Sequence, residues 1–496
     1  MIKHRFLEGL ILLFVSVGIA ETNAQTIPLD SIYQRKALLA DLHQLDTLIR
    51  ESHVDPFMYS NEQDYLYRFN KAKRAVFHGL TFYEFQAIVA EFLIGLQDSH
   101  TSLDLGALAQ RYRQNNGLFL NMQIVSTSST DHFILKDRTG ILPKGSRLAS
   151  VNGVDFQEIY DAAMRMSLTE GASESGILAI TDAIAIAMAG LWVDLKADNT
   201  IRIEPVNTEL ETFQDFNYPG KTYDEWKKFN KKLPKKEPYE LLYPTDSTAV
   251  MRIATFSGIN SRKYYRFLRK GFKELRQRDI PYLAVDLRHN GGGKGQRMEV
   301  LFSHFADPTK RLPDNIIAKQ SKLAQRLHRK SFRGINKFIL TKLLKNDETA
   351  SNYVKIVTLP QGGIDTVYYN EPFRQPKHKF SGHASLFTDG LSGSASAIFA
   401  AGFRQENLGP ILGEPCLGPI GGTWGNPSPT RLNHTGTLLV ISTIRFNATR
   451  KFEKDPSPIQ PEFHIQPTPA NISKDIDTVQ TYWLELIEKG KFIRKK

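Results

Sequence analysis

The first hundred residues carry apolar positions at the spacing of helix turns. Leu38, Leu42 and Ile49 fall on one helical face, and this stretch ends in the turn HVDPFMY. A second helical stretch reads YLYRFNKAKRAVF. A third begins at Thr81, where Thr-Phe-Tyr-Glu forms a capping box ahead of FQAIVAEFLIGL. The pattern predicts a helical region over residues 25–114, which contains the sequence DSHTSL near its end.

Strand-like patterns replace the helical one after this region. FLNMQIV and HFILK are typical of strands, and ILPKGSRLASVNG combines two turn signals with a short apolar strand before a helix. After a further helix, the strand NTIRIEPV closes the unit. We therefore expect a compact module over residues 115–215. The lysine-rich, proline-containing residues 216–248 are typical of a linker.

From residue 249 onward, strands and helices alternate. AVMRIATF predicts a strand, YYRFLRKGFKELRQR a helix, and YLAVDLR a nearly continuous apolar strand that ends in HNGGGKG. Further strands are predicted at ASLF, PILGEP and TLLVIST. This alternation predicts an α/β core over residues 249–480, interrupted by a basic insertion at residues 307–380.

The N-terminus has the pattern of an export signal. Lys3 and Arg5 precede an apolar run over residues 10–20, and small or polar residues follow up to Ala24. The apolar run is short for a membrane span. We therefore expect residues 1–24 to be a cleaved signal peptide, the mature chain to be secreted or periplasmic, and no stable membrane insertion after cleavage.

Composition and charge narrow the classes of protein. The chain has 496 residues, 41% of them hydrophobic and 23% charged, as in globular proteins of two or three domains. Cys416 is the sole cysteine and therefore forms no intramolecular disulfide. The net charge of +12 is concentrated in part between Lys310 and Lys345, where eleven basic residues accompany one acid, Asp314. The cluster lacks zinc and groove-reading motifs, and export is expected, so we expect no nucleic-acid partner.

Three stretches contain candidate chemistry. GLSGSASAIFAAG places serines among small residues just before a helical pattern, which suits either a closely packed turn or a nucleophile at a helix N-terminus. VDLRHNGGGKG ends a buried strand in glycines, whose backbone N–H groups can approach an anion; the ending of a P-loop is absent. DSHTSL puts a histidine at the end of a helix, where capping or packing is the commoner role.

Taken in order, these stretches resemble a known family. LQDSHTSL, YLAVDLRHNGGGKG and TDGLSGSASAIFAAGFRQENLGPILGEP are similar to the three core motifs of the C-terminal processing (tail-specific) serine peptidases, and in particular of their tricorn-like Ser-His branch. LPKGSRLASVNG resembles the late strands of a PDZ domain, so the module at 115–215 is expected to be PDZ-like. The resemblance implies a crotonase- or ClpP-like β-α core, peptide or protein substrates, and neither a cofactor nor a metal.

The resemblance also assigns roles to residues. Aligning SASAIF with the nucleophile motif of the family makes Ser394 the nucleophile, with Ser392 and Ser396 as the neighbouring alternatives. The oxyanion hole would consist of backbone N–H groups, one from the glycine loop and one from the residue after the nucleophile. The candidate donors are Gly292, Gly293 and Ala395.

The family position for a catalytic lysine holds Pro419 in this chain. Proline cannot take a proton, so the base must be another group or the protein is not a peptidase. The Ser-His pair of the tricorn-like branch matches Ser99 and His100, which makes His100 the candidate base. That branch also uses a distant glutamate, for which Glu453 is the first choice and Glu462 the second. The competing histidines are His289, His383 and His434.

The sequence thus predicts a serine endopeptidase with an acyl-enzyme mechanism. The alternative is a catalytically inactive binding protein on the same fold. A crotonase-like acyl hydratase or hydrolase is a third reading, but export argues against it because coenzyme A thioesters are intracellular. The basic segment between Lys310 and Lys345 interrupts the core between the glycine loop and the nucleophile strand. We expect it to lie near the active site and to attract anionic substrate ends.

Overall fold

In the computed structural model, most of the chain after residue 30 is described. The described residues are 31–115, 117–206, 212–225, 237–258, 260–329, 332–373, 375–449 and 452–491. The predicted signal peptide, residues 1–24, lies outside them, so cleavage and export stay predictions. Among the helices of the described residues, none is both long and apolar enough to cross a bilayer.

The N-terminal part is built mainly from helices. Its elements are β1 (Ile32–Tyr33), α1 (Arg35–Ser52), α2 (Glu62–Ala75), β2 (Leu80–Thr81), α3 (Phe82–Ile94), β3 (Ser102–Leu103) and α4 (Leu105–Gln114). Helix α1 buries the face that carries Leu38, Leu42 and Ile49. Helix α3 starts with a capping box, in which Thr81 and Glu84 each bind the backbone N–H of the other. This local device fixes the start of the helix that leads to DSHTSL.

The second unit is an antiparallel sheet with two helices. Its elements are β4 (Met122–Ser126), β5 (His132–Asp137), β6 (Arg147–Val151), β7 (Val154–Asp155), α5 (Phe156–Met164), α6 (Glu174–Ala187), β8 (Asp198–Glu204) and β9 (Gln214–Pro219). The strand order is β4-β5-β6-β8-β9, and β7 pairs with β6. Strand β9 continues past residue 215, so the sheet includes the first residues of the predicted linker.

The first half of the core surrounds the glycine loop and the insertion. Its elements are β10 (Tyr239–Thr245), β11 (Thr248–Ile253), α7 (Ser261–Gln277), β12 (Tyr282–Asp286), α8 (Gly295–Phe302), β13 (Asn315–Lys319), α9 (Lys322–His328), α10 (Gly334–Phe338), α11 (Glu348–Val357) and β14 (Ile364–Tyr368). Strand β10 lies within the predicted linker. Its alternating Tyr239, Leu241 and Tyr243 pack against the core and pair antiparallel with β11.

The second half of the core begins with the strand before the nucleophile motif. Its elements are β15 (His383–Thr388), α12 (Ala395–Gln405), β16 (Ile411–Gly413), β17 (Gly422–Gly425), β18 (Ser428–Arg431), β19 (Leu438–Ile441), β20 (Ile444–Asn447), β21 (Phe463–His464), α13 (Pro469–Ser473) and α14 (Thr478–Glu488). The central sheet has the order β10-β11-β12-β15-β16-β21 and is parallel except at β10.

Both faces of the central sheet are covered. Leu283 and Val285 of β12 pack in the same cluster as α7 and α12, whereas Ala284 between them packs with Trp483 of α14. A parallel strand buried on two faces is apolar at successive positions, which explains the continuous run YLAVD. The carboxyl ends of β12 and β15 then open into the glycine loop and the nucleophile turn at the same edge of the sheet.

The basic insertion is joined to the C-terminal strands. Strands β13 and β14 form a four-stranded sheet with β17 and β20, in the order β14-β13-β20-β17. A separate three-stranded sheet has the order β18-β19-β3. It therefore ties the C-terminal strands to the two residues that follow the DSHT sequence in the N-terminal part.

Candidate active site

Ser394 lies at a sharp turn between β15 and α12. Its backbone has φ 51° and ψ −119°, a conformation with positive φ that residues other than glycine rarely adopt. Its side chain does not cap the helix, and no described residue forms a hydrogen bond with its hydroxyl. The turn therefore holds a half-buried, unengaged hydroxyl at the N-terminus of a helix.

The neighbouring serines differ from Ser394 in this respect. The buried Ser392 donates from Oγ to the backbone oxygen of Leu287 (2.9 Å) and lies 3.0 Å from Asp389 Oδ1. Ser396 is also fully buried, inside α12. Of the three serines, the structure leaves Ser394 as the accessible one.

The glycine loop after β12 packs directly on the nucleophile turn. A Cβ atom on Gly292 would lie 2.6 Å from Ser394 Cβ and 2.8 Å from the backbone nitrogen of Ala395, and the residue has φ +97°. Gly293 has φ +134°, and a Cβ there would lie 2.4 Å from the backbone nitrogen of Ser257. Both positions require glycine, because a side chain would be strained and would overlap its neighbours.

The backbone N–H groups around Ser394 are not equivalent. Gly292 N–H donates to Asn290 Oδ1 at 3.0 Å, so this predicted oxyanion donor is engaged. Gly293 and Ala395 have no acceptor for their N–H groups among the described residues. Ala395 is the first residue of α12, where the helix itself supplies no acceptor. The pair of available donors is therefore Gly293 and Ala395.

Asp389 holds the glycine loop against the nucleophile turn. Its oxygens accept from the backbone N–H of His289 (3.0 Å each) and of Leu391 (3.0 Å), and its Oδ2 lies 2.8 Å from His289 Nδ1. The hydrogen bond to Asp389 raises the pKa of His289. Burial opposes ionisation of Asp389, but the hydrogen bond and charge of His289 outweigh it and lower the pKa of the carboxyl. Asp389 precedes Gly390 and has no motif of its own, so nothing in the sequence pattern indicated its role.

His100 follows α3 and faces a carboxylate. Its Nδ1 lies 3.3 Å from Glu170 Oε2 and 3.3 Å from Ser99 Oγ, and its backbone N–H donates to Asp98 Oδ1 at 2.8 Å. The imidazole is 18% exposed, and Nε2 has no partner among the described residues. With the proton on Nδ1 toward Glu170, Nε2 is free to accept one, which is the tautomer a general base requires.

Glu170 is the buried acid of this cluster. Its Oε1 accepts from Thr423 Oγ1 (2.6 Å) and the backbone N–H of Trp424 (2.9 Å), and its Oε2 accepts from the backbone N–H (2.8 Å) and hydroxyl of Ser99. Burial disfavours the charged imidazole of His100, but the charge and hydrogen bond of Glu170 outweigh it and raise the pKa of His100 above 6.5. Nothing in the sequence pattern indicated Glu170, because its loop carries no recognisable motif and its partners are distant along the chain.

A second buried layer supports the His100 turn. Asp98 Oδ2 accepts from His53 Nε2 (3.0 Å) and Ser442 Oγ (2.7 Å). His53 Nδ1 accepts from the backbone N–H of Asp55 (3.1 Å), which places the imidazole proton on Nε2. The ring of His53 packs on Trp424, with 4.4 Å between ring centroids. The HVDPFMY turn therefore positions the histidine motif indirectly, through Asp98.

Asp98, His100 and Glu170 present ligand atoms within 4.8 Å of one another, a spacing that could admit a metal ion. All four carboxylate oxygens, however, already accept hydrogen bonds within the protein. These hydrogen bonds stabilise the buried charges of Asp98 and Glu170.

The two glutamates proposed from the sequence lie elsewhere. Glu453 Oε1 accepts from Asn447 Nδ2 at 3.0 Å, and Glu453 has no described contact with His100. Glu462 pairs with Arg404 at 2.8 Å and accepts from the backbone N–H of Ile411 at 2.7 Å, near the far end of α12. The carboxylate that the structure places beside His100 is Glu170.

His100 and Ser394 share one neighbourhood but no hydrogen bond. A Cβ atom on Gly418 would lie 3.9 Å from Glu170 Cγ and 2.7 Å from Ala397 Cβ, in the first turn of α12. Gly418 therefore lies between Glu170, the acid that faces His100, and helix α12, which follows Ser394.

Part of the chain matches a known protein family. Residues 247–465 match the model of peptidase family S41. No curated protein sequence matches the chain. Mature CPAF has a similar solved structure, with 12% identity over 92% of this chain and 97% of its own and a TM-score of 0.61. CPAF complexed with lactacystin gives 12% identity, coverages of 92% and 98%, and a TM-score of 0.61.

At such identities the structural likeness shows the fold alone. The region matched by the family model contains the parallel strands β11, β12, β15, β16 and β21 of the central sheet, the glycine loop and Ser394. Residues 247–465, which are less than half of the chain, are therefore similar to peptidase family S41.

Proposed function

We propose that the chain is a serine endopeptidase in which Ser394 is the nucleophile and His100 the general base. The observation that carries this proposal is the geometry at Ser394. A strained turn presents an unengaged hydroxyl beside two backbone N–H groups without acceptors, those of Gly293 and Ala395. Such donors stabilise the negative charge that develops on a carbonyl oxygen during acyl transfer.

In the proposed reaction, the oxygen of Ser394 attacks the carbonyl carbon of the scissile peptide bond. His100 Nε2 takes the hydroxyl proton and then gives it to the leaving amine as the C–N bond breaks. A water molecule, deprotonated by the same nitrogen, hydrolyses the acyl-enzyme and restores Ser394. The two side chains share no hydrogen bond in the free chain. Catalytic hydrogen bonds often form only in the substrate complex.

We assign to Glu170 the orienting role that the sequence suggested for Glu453. Glu170 faces His100 Nδ1 directly and is itself fixed by donors from strand β17 and from the turn at Ser99. Glu453 supports the site from one layer further out, since its carbonyl oxygen accepts from Arg445, which stacks on Trp424 at 4.7 Å. An acid next to a catalytic histidine stabilises the imidazolium that forms when the proton is transferred.

Hydrolysis of an unfolded protein tests the proposed function. The wild-type chain should degrade casein, and Ser394→Ala should lose that activity while keeping its thermal stability. The second candidate, an inactive binding protein, is favoured by the absence of a hydrogen bond between Ser394 and His100. An inert wild-type chain would support this second candidate and contradict the peptidase.

The acid limb of the pH profile should depend on Glu170. Because the neutral imidazole is the base, activity should rise with pH through the raised pKa of His100. Glu170→Gln removes the negative charge that favours the imidazolium, so the limb of kcat/KM should move to lower pH, by about one unit. Glu453→Gln is the matched control and should leave the limb in place. A shift in Glu453→Gln and none in Glu170→Gln would reverse the assignment.

Two further parts of the proposal rest on the sequence pattern. We place the reaction outside the cytoplasm, because residues 1–24 have the charge and apolar pattern of a signal peptide. Mass spectrometry of the exported protein should find Gln25 at its N-terminus. We also infer that the sheet β4-β5-β6-β8-β9 is the PDZ-like module, which would receive an extended substrate segment by strand addition. Equal turnover of peptides with and without a free tail would contradict that role.

A further inference from the structure

Helix α9 and the residues after it line a surface cavity of about 560 Å³. The lining residues are Lys322, Gln325, Arg326, Arg329, Phe332 and Arg333. Four of the six are cations, and no carboxylate belongs to the described lining. All four cationic residues are exposed, so the cavity presents positive charge to solvent.

These cations differ from the basic residues that precede them in the same segment. Lys310 pairs with Glu406 at 3.4 Å, and Arg311 pairs with Glu299. The four cations of the cavity make no ion pair with any described residue, so no described carboxylate relieves their mutual repulsion. An anionic ligand would relieve it, which makes the cavity complementary in charge to an acidic partner.

The cavity is connected to the elements that position His100. Helix α9 contacts α1 and β18, and β18 continues through β19 to β3, which begins two residues after His100. Lys319, at the end of β13, donates from Nζ to the backbone oxygens of Arg50 (2.7 Å) and His53 (3.0 Å). The basic surface is therefore built onto the same framework as the candidate base.

We propose that this cavity docks an acidic stretch of the polypeptide substrate, away from the bond that is cleaved. The inference rests on the proposed peptidase function and adds a substrate class to it. The guanidinium groups of Arg326, Arg329 and Arg333 match carboxylates in a bidentate geometry. Phe332 offers an apolar contact for the methylene groups of glutamate side chains.

Nucleic acid fits the cavity less well than an acidic polypeptide. Binding of single strands relies on exposed aromatic rings on which bases stack. Phe332 is half-buried, and the ammonium group of Lys337 lies 5.4 Å from its ring centroid. The concave shape and the volume of about 560 Å³ suit a few side chains of an extended peptide.

Direct binding of a fluorescein-labelled oligoglutamate peptide, measured by fluorescence anisotropy, tests the docking site. The full chain should bind it with an affinity that falls as salt is added, because the cations are exposed. The double variant R326E/R329E should raise Kd about ten-fold. The control R269E/K270E makes the same charge change at exposed residues of α7 that have no described ion pair, and it should bind nearly as the wild type does.

Two results would overturn the docking site. One is equal weakening in both double variants, which would mean that net charge alone attracts the peptide. The other is tighter binding of a labelled oligothymidylate of equal charge, which would mean a nucleic-acid surface. Fluorophosphonate labelling of Ser394 separates the two proposals, since this small reagent should react equally with wild type and R326E/R329E. A wild-type chain that binds oligoglutamate but resists labelling would contradict the mechanism and keep the docking site.

Discussion

His100→Ala should lower kcat for casein hydrolysis by about 10⁴-fold, the loss expected when the general base of a serine hydrolase is removed. The serine hydroxyl is a poor nucleophile unless a neighbouring group accepts its proton. His100 is the candidate because Nδ1 faces Glu170 while Nε2 stays free. Steady-state kinetics above the pKa of the histidine would measure the loss.

The competing histidines supply the controls for this substitution. His434 is exposed, and its backbone N–H donates to Asp41. His289 is paired with Asp389. His383 stacks on Tyr282, with 5.2 Å between ring centroids. His434→Ala should therefore be fully active. Full activity in His100→Ala, with loss in His383→Ala or His434→Ala, would overturn the assignment.

Gly292→Ala should reduce kcat/KM by about 10²- to 10³-fold, the range measured when one oxyanion donor is lost. The added methyl group would lie 2.6 Å from Ser394 Cβ and 2.8 Å from the nitrogen of Ala395. It would block the approach to that N–H group and would also strain a residue at φ +97°. Both effects act at the reacting centre.

Gly291→Ala is the matched control in the same loop. A Cβ atom on Gly291 would meet no atom within 4 Å, and its φ is not positive. We therefore expect near wild-type kcat/KM and an unchanged melting temperature. Equal losses in the two variants would mean that the loop tolerates no side chain at all, and full activity in Gly292→Ala would contradict the oxyanion geometry.

The features that the sequence predicted well are local. The continuous apolar run YLAVD, followed by glycines, predicts a buried strand and a loop that presents backbone N–H groups. The structure has the strand, and in the loop Gly292 N–H is engaged by Asn290 while Gly293 N–H has no acceptor among the described residues. The small residues around Ser394 likewise predict a sharp turn before α12. In each case the structure is caused by residues that are neighbours in the sequence. These are glycines at positive φ in the loop and the start of a helix after the turn.

The features that escaped prediction depend on contacts between distant residues. Glu170 meets Ser99, 71 positions earlier, and Trp424, 254 positions later, and no pattern near Glu170 indicates either contact. The lysines and prolines around strand β10 favoured the prediction of a linker, although Tyr239 and Leu241 alternate as a strand requires. Tertiary packing determines both the contacts of Glu170 and the formation of strand β10.

Pro419 lies close to the loop that carries Glu170. A Cβ atom on Gly171 would lie 3.1 Å from Pro419 Cβ, so the proline packs against the residue that follows Glu170. At this position the chain has a rigid, uncharged contact in place of a proton acceptor. In our account, the loop that it supports supplies the acid for a histidine base.

Covalent labelling with a fluorophosphonate tests whether Ser394 is a nucleophile that is activated within this site. The account predicts one adduct, located on Ser394 by mass spectrometry of the digested protein. Labelling should persist in Ser392→Ala if that variant folds, and in Ser396→Ala, and should vanish in Ser394→Ala and His100→Ala. An adduct on another serine, or undiminished labelling of Ser394→Ala, would contradict the account.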